Sequence, residues 1–253
     1  MPGNFRSGID YDHDRNQHSL TGAKIALDRF LSMLKATSLL DVGAGKGNWL
    51  AAALQIGVHD VLGLDGVPPE NRELFVDSSL IKTVDLTQPV YLNRKFDIAL
   101  CLEVAEHLDA GSAHTLVETL CTHSDQVVFS AACPGQRGQH HVNCQWPAFW
   151  QQLFNARGFA CFDSLRWAIW DESRIEPWYR QNVFLARKDP NRAGSEARIP
   201  SVIHPEMVRH IDLPVHRDFI EGRLSPKLYA RLALSSFSNR LIHRLTSMAQ
   251  SSR

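Results

Sequence analysis

Three side chains that can bind a metal ion or accept a proton stand in one short stretch of the chain. Glu103, Glu106 and His107 occur at i, i+3 and i+4, which places them on one face of a helical turn. Two carboxylates and an imidazole can hold a divalent ion, and His141 from a later segment could complete the set. The same groups could instead act as a general base, since a hydroxyl is a poor nucleophile at neutral pH. The stretch therefore predicts a centre for metal or acid–base chemistry.

A glycine-rich turn after a short apolar run indicates a ligand site. Residues 39–50 read Leu-Leu-Asp-Val-Gly-Ala-Gly-Lys-Gly-Asn-Trp-Leu, a strand, a tight turn and the start of a helix. Glycines 43 and 45 would let the main chain approach a ligand, because a β-carbon there would occupy its space. A dinucleotide turn would need glycine at position 48, where Asn48 stands. Asp41 can accept hydrogen bonds from a positively charged group.

A second acid stands where nucleotide-binding sheets place a carboxylate for the ribose. Asp65 ends the strand predicted at residues 61–64 and lies 20 residues beyond Gly45. A carboxylate accepts two hydrogen bonds, and the vicinal hydroxyls of a ribose offer two. The alternative is that Asp65 only caps the following helix.

These features resemble the class I S-adenosylmethionine (SAM) methyltransferases, whose first motif is similar to Asp41 followed by Gly43-x-Gly45-x-Gly47. The resemblance implies that the turn lies beside the amino-acid end of SAM. It also implies that Asp85 faces the exocyclic amine of adenine and that Leu86 lies on the ring. The cofactor-binding residues implied in this way are Asp41, Gly43, Ala44, Gly45, Asp65, Gly66, Asp85, Leu86, Leu102 and Glu103.

The elements that must position these residues alternate between strands and helices. The strands are predicted near residue 40 and at 61–64, 81–84, 96–102, 126–131, 159–165 and 182–186, and the helices at 19–34, 49–56, 113–121 and 146–156. The fourth strand is nearly all apolar, as expected for a strand buried on both faces. It leads to Glu103 at the carboxyl edge, where ligands bind in such sheets. The resemblance to the class I methyltransferases implies an α/β fold, with a seven-stranded, mostly parallel Rossmann-like sheet flanked by helices.

The resemblance covers residues 19–188. Residues 1–18 are polar and are expected to form a flexible N-terminal arm. Three of its side chains could fold over a ligand, namely Tyr11, His13 and His18. Charge, proline and glycine mark a linker at 188–199. Residues 189–253 are therefore expected to be a linker and a small helical C-terminal extension, with a weakly periodic stretch at 224–245.

A more specific likeness is to bacterial methyltransferases of uncertain substrate, often thought to act on sugars or surface glycans. It rests on residues 129–136, 141–147 and 178–182, which read Phe-Ser-Ala-Ala-Cys-Pro-Gly-Gln, His-Val-Asn-Cys-Gln-Trp-Pro and Trp-Tyr-Arg-Gln-Asn. Cys144 stands where those proteins are expected to have an acid.

Composition narrows the class of protein. The 253 residues include 27 Lys and Arg and 27 Asp and Glu, so no overall field favours nucleic acid or an acidic membrane. The five cysteines are odd in number and form no Cys-x-x-Cys pair, as expected of reduced thiols. The absence of a signal peptide and of a membrane-spanning run predicts a cytoplasmic protein without a membrane partner.

Three interpretations of the acids and histidines stay open. The first is Mg²⁺ or another divalent ion, in a grouping similar to that of the RNA 3′-terminal ribose methyltransferases, held by Glu103, Glu106, His107 and His141. The second is His107 or His141 as a general base without metal, with Glu106 beside them. The third is zinc, which thiolates and imidazoles suit, on Cys133, His140, His141 and Cys144.

Aromatic side chains could form either a wall for a sugar acceptor or part of the core: Trp146, Trp150, Trp167, Trp170, Trp178 and Tyr179. Arg180 could recognise an anionic group, or it could pair with Asp171 or Glu176.

The function expected is a SAM-dependent O-methyltransferase acting on a hydroxyl of a small molecule or glycan. One alternative is a 2′-O-methyltransferase of RNA 3′-terminal ribose, against which balanced charge and the lack of an RNA-binding module count. The other is a SAM-binding protein without catalysis. The sequence leaves the oligomeric state open.

Overall fold

The computed structural model describes residues 11–12, 18–68, 73–211 and 225–227, and within them seven strands pair into one sheet. The strands are β1 Ser38–Val42, β2 Asp60–Asp65, β3 Ile81–Thr83, β4 Ile98–Leu102, β5 Gln126–Ser130, β6 Phe159–Phe162 and β7 Phe184–Lys188. Their order in the sheet is β3-β2-β1-β4-β5-β7-β6. The first five strands are parallel, while β7 is antiparallel to both β5 and β6. The predicted α/β architecture is confirmed.

The described helices connect the strands and cover the sheet. They are α1 Leu20–Met33, α2 Asn48–Gln55, α3 Ala113–His123, α4 Pro147–Asn155, α5 Ser164–Ile169 and α6 Pro177–Asn182. Ser19 caps α1, since its side chain accepts a hydrogen bond from the Gly22 N–H at 2.8 Å. None of the helices in the described ranges is both long enough and apolar enough to cross a bilayer.

Neighbouring residues of the central strands point to opposite faces and enter two separate cores. Leu40, Ala99 and Phe129 pack with α3 and α4 on one face. Leu39 and Leu100 pack with α1, α2 and α5 on the other. Burial on both faces explains the continuous apolar run of β4, and polar groups follow it at the carboxyl edge of the sheet.

The last two strands differ from the sequence-based prediction. β6 ends at Phe162, and residues 163–165 do not continue it, because Leu165 and Ile169 bury one side of helix α5 at helical spacing. β7 begins at Phe184 rather than at 182, since Asn182 closes α6. These changes place the side chain of Asn182 at the end of a helix near the site.

The compact unit extends past the boundary expected near residue 188 and runs from Met1 to Ile211. In residues 189–211, Ile199, Met207 and Ile211 are buried. Glu196 covers the outer edge of β6, where its Oε1 accepts hydrogen bonds from the Cys161 N–H at 3.1 Å and from two side-chain amides of α4. A second unit is formed by residues 212–253. The helix expected at 224–245, apart from 225–227, lies outside the described residues, as do 1–10 and 13–17 of the arm, with His13.

Candidate active site

A cleft of about 270 Å³, here named the turn cleft, opens at the carboxyl edge of β1, β2 and β4. It lies where the strand order reverses between β1 and β4, the position at which open α/β sheets bind ligands. All but one of the residues expected to bind the cofactor line it, namely Gly43, Ala44, Gly45, Asp65, Gly66, Asp85, Leu86, Leu102 and Glu103. The exception is Asp41.

The glycines of the turn are required by its backbone. Gly43, Gly45 and Gly47 have φ angles of 85°, 54° and 82°, in a backbone region that residues other than glycine rarely adopt. A β-carbon on Gly43 would lie 2.2 Å from Cγ2 of Val104. At Gly43 the glycine therefore makes room for a protein neighbour, whereas the sequence suggested room for a ligand.

Asp65 ties the turn together. Its Oδ2 accepts a hydrogen bond from the Gly45 N–H at 2.7 Å, and its Oδ1 accepts one from the Val67 N–H at 2.8 Å. Each carboxylate oxygen has a second lone pair, so the side chain can also accept from hydroxyls in the cleft. Asp85 is held in a similar way by Thr87, whose N–H and hydroxyl both donate to its Oδ1.

Asp41 is enclosed behind the turn rather than exposed to the cleft. β1 continues to Val42, so Asp41 sits within the strand, only 1 % of it is exposed, and its Oδ2 makes no hydrogen bond within the described residues. Burial and the nearby charge of Asp65 raise the pKa of this carboxyl to about 8. The folded protein therefore holds Asp41 protonated at pH 7.

We expect Asp41→Asn to stabilise the protein at neutral pH. In the unfolded chain the Asp41 carboxyl ionises above its ordinary pKa of 3.8. Rising pH therefore favours unfolding of the wild type until the folded-state pKa is passed, and the amide removes this penalty. The gain in unfolding free energy should be about 4 kcal/mol at pH 7 and smaller at pH 5. Denaturant unfolding at both pH values measures it, and a gain independent of pH would contradict the assignment.

Glu103 is held in a strained backbone conformation at the end of β4. Its φ is 56°, which costs on the order of 1–3 kcal/mol for a residue with a side chain. The Glu103 N–H donates to the carbonyl oxygen and to Oγ of Ser130, both at 3.1 Å. Its carboxylate accepts from Nε2 of Gln136 at 2.8 Å and from Nδ2 of Asn182 at 3.1 Å. Burial raises the pKa of Glu103, and the donors from Asn182, Ser130 and Gln136 oppose that rise.

Glu106, His107 and His141 converge beside Glu103. One ligand atom from each lies within 4.8 Å of the others, and among the described residues this is the group of His, Cys, Asp and Glu with such geometry. The zinc set proposed from Cys133, His140, His141 and Cys144 forms no group of this kind there. Glu103 lies outside the group, because its carboxylate is turned to Gln136 and Asn182.

The group carries unsatisfied polar atoms. Glu106 is fully buried, and neither of its carboxylate oxygens makes a hydrogen bond within the described residues; nor does Nδ1 of His107. Burial and the neighbouring Glu103 raise the pKa of Glu106 well above its usual range. Burial and then His141 lower the pKa of His107 to about 4, so this imidazole is neutral at pH 7. A buried carboxylate beside two imidazoles is a donor set that fits a divalent ion.

A second space of about 260 Å³, here named the histidine cavity, adjoins the turn cleft. Glu106, His141, Gln136 and Trp178 are among the residues that line it. Four residues line both spaces: Tyr11, His18, Glu103 and His107. A molecule in the histidine cavity would thus meet a molecule in the turn cleft across Glu103 and His107.

The described parts of the N-terminal arm lie over this junction. The Tyr11 ring packs against His107 with centroids 4.7 Å apart. The backbone of Asp12 exchanges two hydrogen bonds with the Gln139 amide at 2.9 and 3.2 Å. His18 lies 3.0 Å from the hydroxyl of Tyr179. These contacts bring Tyr11 and His18 to both cavities.

Arg180 and the aromatic residues divide between core and site. Arg180 is 1 % exposed and pairs with Glu206 at 2.6 Å, whereas the sequence suggested an external anion, Asp171 or Glu176. Trp150 is fully buried in the core. Trp178 lines the histidine cavity and Tyr179 the turn cleft.

The sequence did not indicate Gln136 and Asn182 as site residues. Both hold the carboxylate of Glu103, and Nδ2 of Asn182 also donates to Oε1 of Gln136 at 2.9 Å. They come from a loop and a helix far apart in the chain. The one sequence feature that could have indicated them is that both lie in segments similar to the bacterial methyltransferases of uncertain substrate.

A family model described as a methyltransferase domain matches residues 11–168. No curated protein matches the chain significantly.

Among solved structures, the chain is similar to DesVI of Streptomyces venezuelae, with 14 % identity, a TM-score of 0.49, and coverage of 66 % of this chain and 92 % of that one. It is also similar to magnesium protoporphyrin IX methyltransferase (ChlM) of Synechocystis PCC 6803 with bound SAH, with 17 % identity, a TM-score of 0.44, and coverage of 66 % and 84 %. A third is the plantazolicin methyltransferase BpumL in complex with a monoazolic desmethylPZN analog and SAH, with 13 % identity, a TM-score of 0.46, and coverage of 67 % and 83 %.

Proposed function

The chain belongs to the methyltransferase-domain family and has the fold of the class I SAM-dependent methyltransferases. We therefore propose that it transfers the methyl group of SAM to a hydroxyl oxygen of a small molecule or glycan. The observation that carries the proposal is the convergence of Glu106, His107 and His141 in a cavity that shares a wall with the turn cleft. SAM would occupy the turn cleft, and the acceptor would enter the histidine cavity.

Methyl transfer from a sulfonium leaves the protein two tasks, which are alignment and management of one proton. The acceptor oxygen forms a bond to the methyl carbon while the carbon–sulfur bond breaks, and neutral S-adenosylhomocysteine leaves. Glu103 and His107, which line both spaces, hold donor and acceptor in line. The acceptor's proton must pass to a base as its oxygen becomes an ether.

His141 is the base that the hydrogen bonds favour. Its Nδ1 lies 2.9 Å from the carbonyl oxygen of Gln136, which can only accept, so Nδ1 carries the proton of the neutral ring. Nε2 is then the atom able to take a proton from a hydroxyl in the cavity. The carbonyl of Gln136 also stabilises the imidazolium that results.

A divalent ion is the second part of the proposal. Glu106 and His107 would hold it, with Glu103 next to them, and Nε2 of His141 would be left to take the proton. The unpartnered oxygens of Glu106 and the unpartnered Nδ1 of His107 support this. Such an ion would lower the pKa of the acceptor hydroxyl and orient it.

The test is methyl transfer from labelled SAM to a panel of sugars, glycans and small alcohols, with and without chelator. We expect transfer to at least one hydroxyl compound, loss of transfer in excess chelator and recovery on adding Mg²⁺ or Mn²⁺. Calorimetry with Mn²⁺ should show one site that Glu106→Gln removes. Full turnover in chelator would leave the imidazoles as the catalysts. Transfer to the 3′ end of RNA alone would identify a ribose methyltransferase, and SAM binding without transfer to any acceptor would indicate a non-catalytic protein.

A further inference from the structure

The loop Cys133–His141, here named the acceptor loop, connects both halves of the site through one residue. The side-chain amide of Gln136 donates to Glu103 at 2.8 Å, and the backbone carbonyl of the same residue accepts from Nδ1 of His141 at 2.9 Å. The position of Gln136 therefore sets the direction of the Glu103 carboxylate and of the His141 ring together.

Segment 204–211, here named the brace, is hydrogen-bonded to the acceptor loop. Gln136 and Ile211 pair as an antiparallel bridge, and the Arg137 N–H donates to the His210 carbonyl at 2.8 Å. Ile211 is 2 % exposed, so this pairing is sheltered from water. None of the residues of the brace lines the turn cleft or the histidine cavity.

The brace is fastened to helix α6 by a buried cation. Nη2 and Nη1 of Arg180 donate to the two carboxylate oxygens of Glu206 at 2.6 and 3.1 Å. Nη1 also donates to the Trp170 carbonyl at 3.2 Å. A guanidinium that is almost fully buried needs its carboxylate partner, so this bidentate pair fixes the start of the brace.

A chain of amide hydrogen bonds runs from the brace to the carboxylate of Glu103. The His204 N–H donates to Oε1 of Gln181 at 2.8 Å. Nε2 of Gln181 donates to Oδ1 of Asn182 at 3.0 Å, and Nδ2 of Asn182 donates to Glu103 at 3.1 Å. The brace thus reaches the site by two routes, one through the acceptor loop and one through α6.

We propose that the brace, fastened by Glu206, is a positioning element for methyl transfer that sets the geometry of Gln136, Glu103 and His141. The proposal rests on the proposed function for its kinetic consequence. Its structural consequence, the placement of the His141 ring, can be measured without turnover.

The primary test is Glu206→Ala in the full chain. We expect kcat to fall about tenfold, since small misplacements of aligned groups are costly, while the affinity for SAM stays within twofold. Glu206→Gln keeps an acceptor oxygen for Arg180 and should recover part of the rate. The matched control is Glu118→Ala, which removes another half-exposed carboxylate bound to an arginine, Arg157, at 3.0 Å and should leave kcat unchanged. Equal losses in the Glu206 and Glu118 variants would overturn the proposal.

A second variant separates positioning from general loss of stability. A β-carbon on Gly138 would lie 2.1 Å from Nε2 of His141, so Gly138→Ala displaces that ring directly. If the brace acts through the acceptor loop, adding Glu206→Ala to Gly138→Ala should lower kcat less than twofold further. A full further tenfold loss in the double variant would show that the effect does not pass through the acceptor loop, and it would overturn the proposed control of His141 by the brace.

Nuclear magnetic resonance of labelled histidine tests the brace even where no acceptor is found. The His141 ring signals, assigned with His141→Asn, should shift in Glu206→Ala at fixed pH in metal-free protein and stay in place in Glu118→Ala. Unmoved His141 signals in the Glu206 variant would refute the positioning role. Absence of turnover with shifted signals would instead count against the proposed function alone.

Discussion

His141→Ala should lower kcat for methyl transfer by roughly 10²–10⁴-fold while the dissociation constant for SAM stays unchanged, because the substitution removes the proton acceptor. His141 lines the histidine cavity and not the turn cleft, which separates the two effects. Its Nδ1 is already bonded to Gln136, so no other atom of the ring can replace Nε2. Single-turnover transfer from labelled SAM measures the rate, and calorimetry measures SAM binding.

The neighbouring His140 provides the matched control for this experiment. It is exposed and lines neither described cavity, so His140→Ala should transfer methyl groups at the wild-type rate. Equal rates in the His141 variant and the wild type would remove His141 from the reaction. A weakened affinity for SAM would show that the residue serves the donor instead.

Asp65→Ala should weaken SAM binding by about 10²-fold, equivalent to roughly 3 kcal/mol. The carboxylate accepts from Gly45 and Val67 and lines the cleft, so its loss leaves two partly buried N–H donors without this acceptor and removes the acceptor expected for the ribose hydroxyls. Calorimetry with SAM and with S-adenosylhomocysteine should show the same loss, because both carry the ribose.

Asp77→Ala is a suitable comparison for the Asp65 variant. Asp77 also accepts a backbone N–H two residues ahead, that of Ser79, but it does not line the turn cleft. Its replacement should leave SAM affinity unchanged. Unchanged affinity in Asp65→Ala would exclude Asp65 from the ribose role and leave it as a structural cap of the turn.

The fold could be predicted because its signals are local. Apolar runs buried on both faces, a glycine turn and acids at strand ends each follow from a few adjacent residues, and their order indicates the sheet. The predicted end of β6 was wrong because apolar residues such as Phe162 and Leu165 suit a strand and a helix equally well. Only the pairing of Leu165 with Ile169 on one side of α5 decides between strand and helix.

The site could be predicted only as far as short spacings allow. The sequence brought Glu106 and His107 together because they are adjacent, and it added His141 as a further possible ligand from a later loop. It placed Glu103 in the same ligand set, but the positive φ of Glu103 and its bonds to Gln136 and Asn182 depend on the folded backbone. The enclosure of Asp41 likewise follows from one additional strand residue, Val42. Neither the orientation of Glu103 nor the enclosure of Asp41 can be predicted from the spacing of residues in the sequence.

The carboxylate of Glu196 at the margin of β6 bears on the behaviour of the molecule at high concentration. An outermost strand offers free amide and carbonyl groups to any extended peptide, and this is how native proteins begin to aggregate. Here the amide of Cys161 already donates to Glu196, and a strand approaching that margin would have to displace a negative charge bonded to three donors. The segment after β7 therefore covers part of the outer edge of β6 and disfavours the pairing of that edge with another strand.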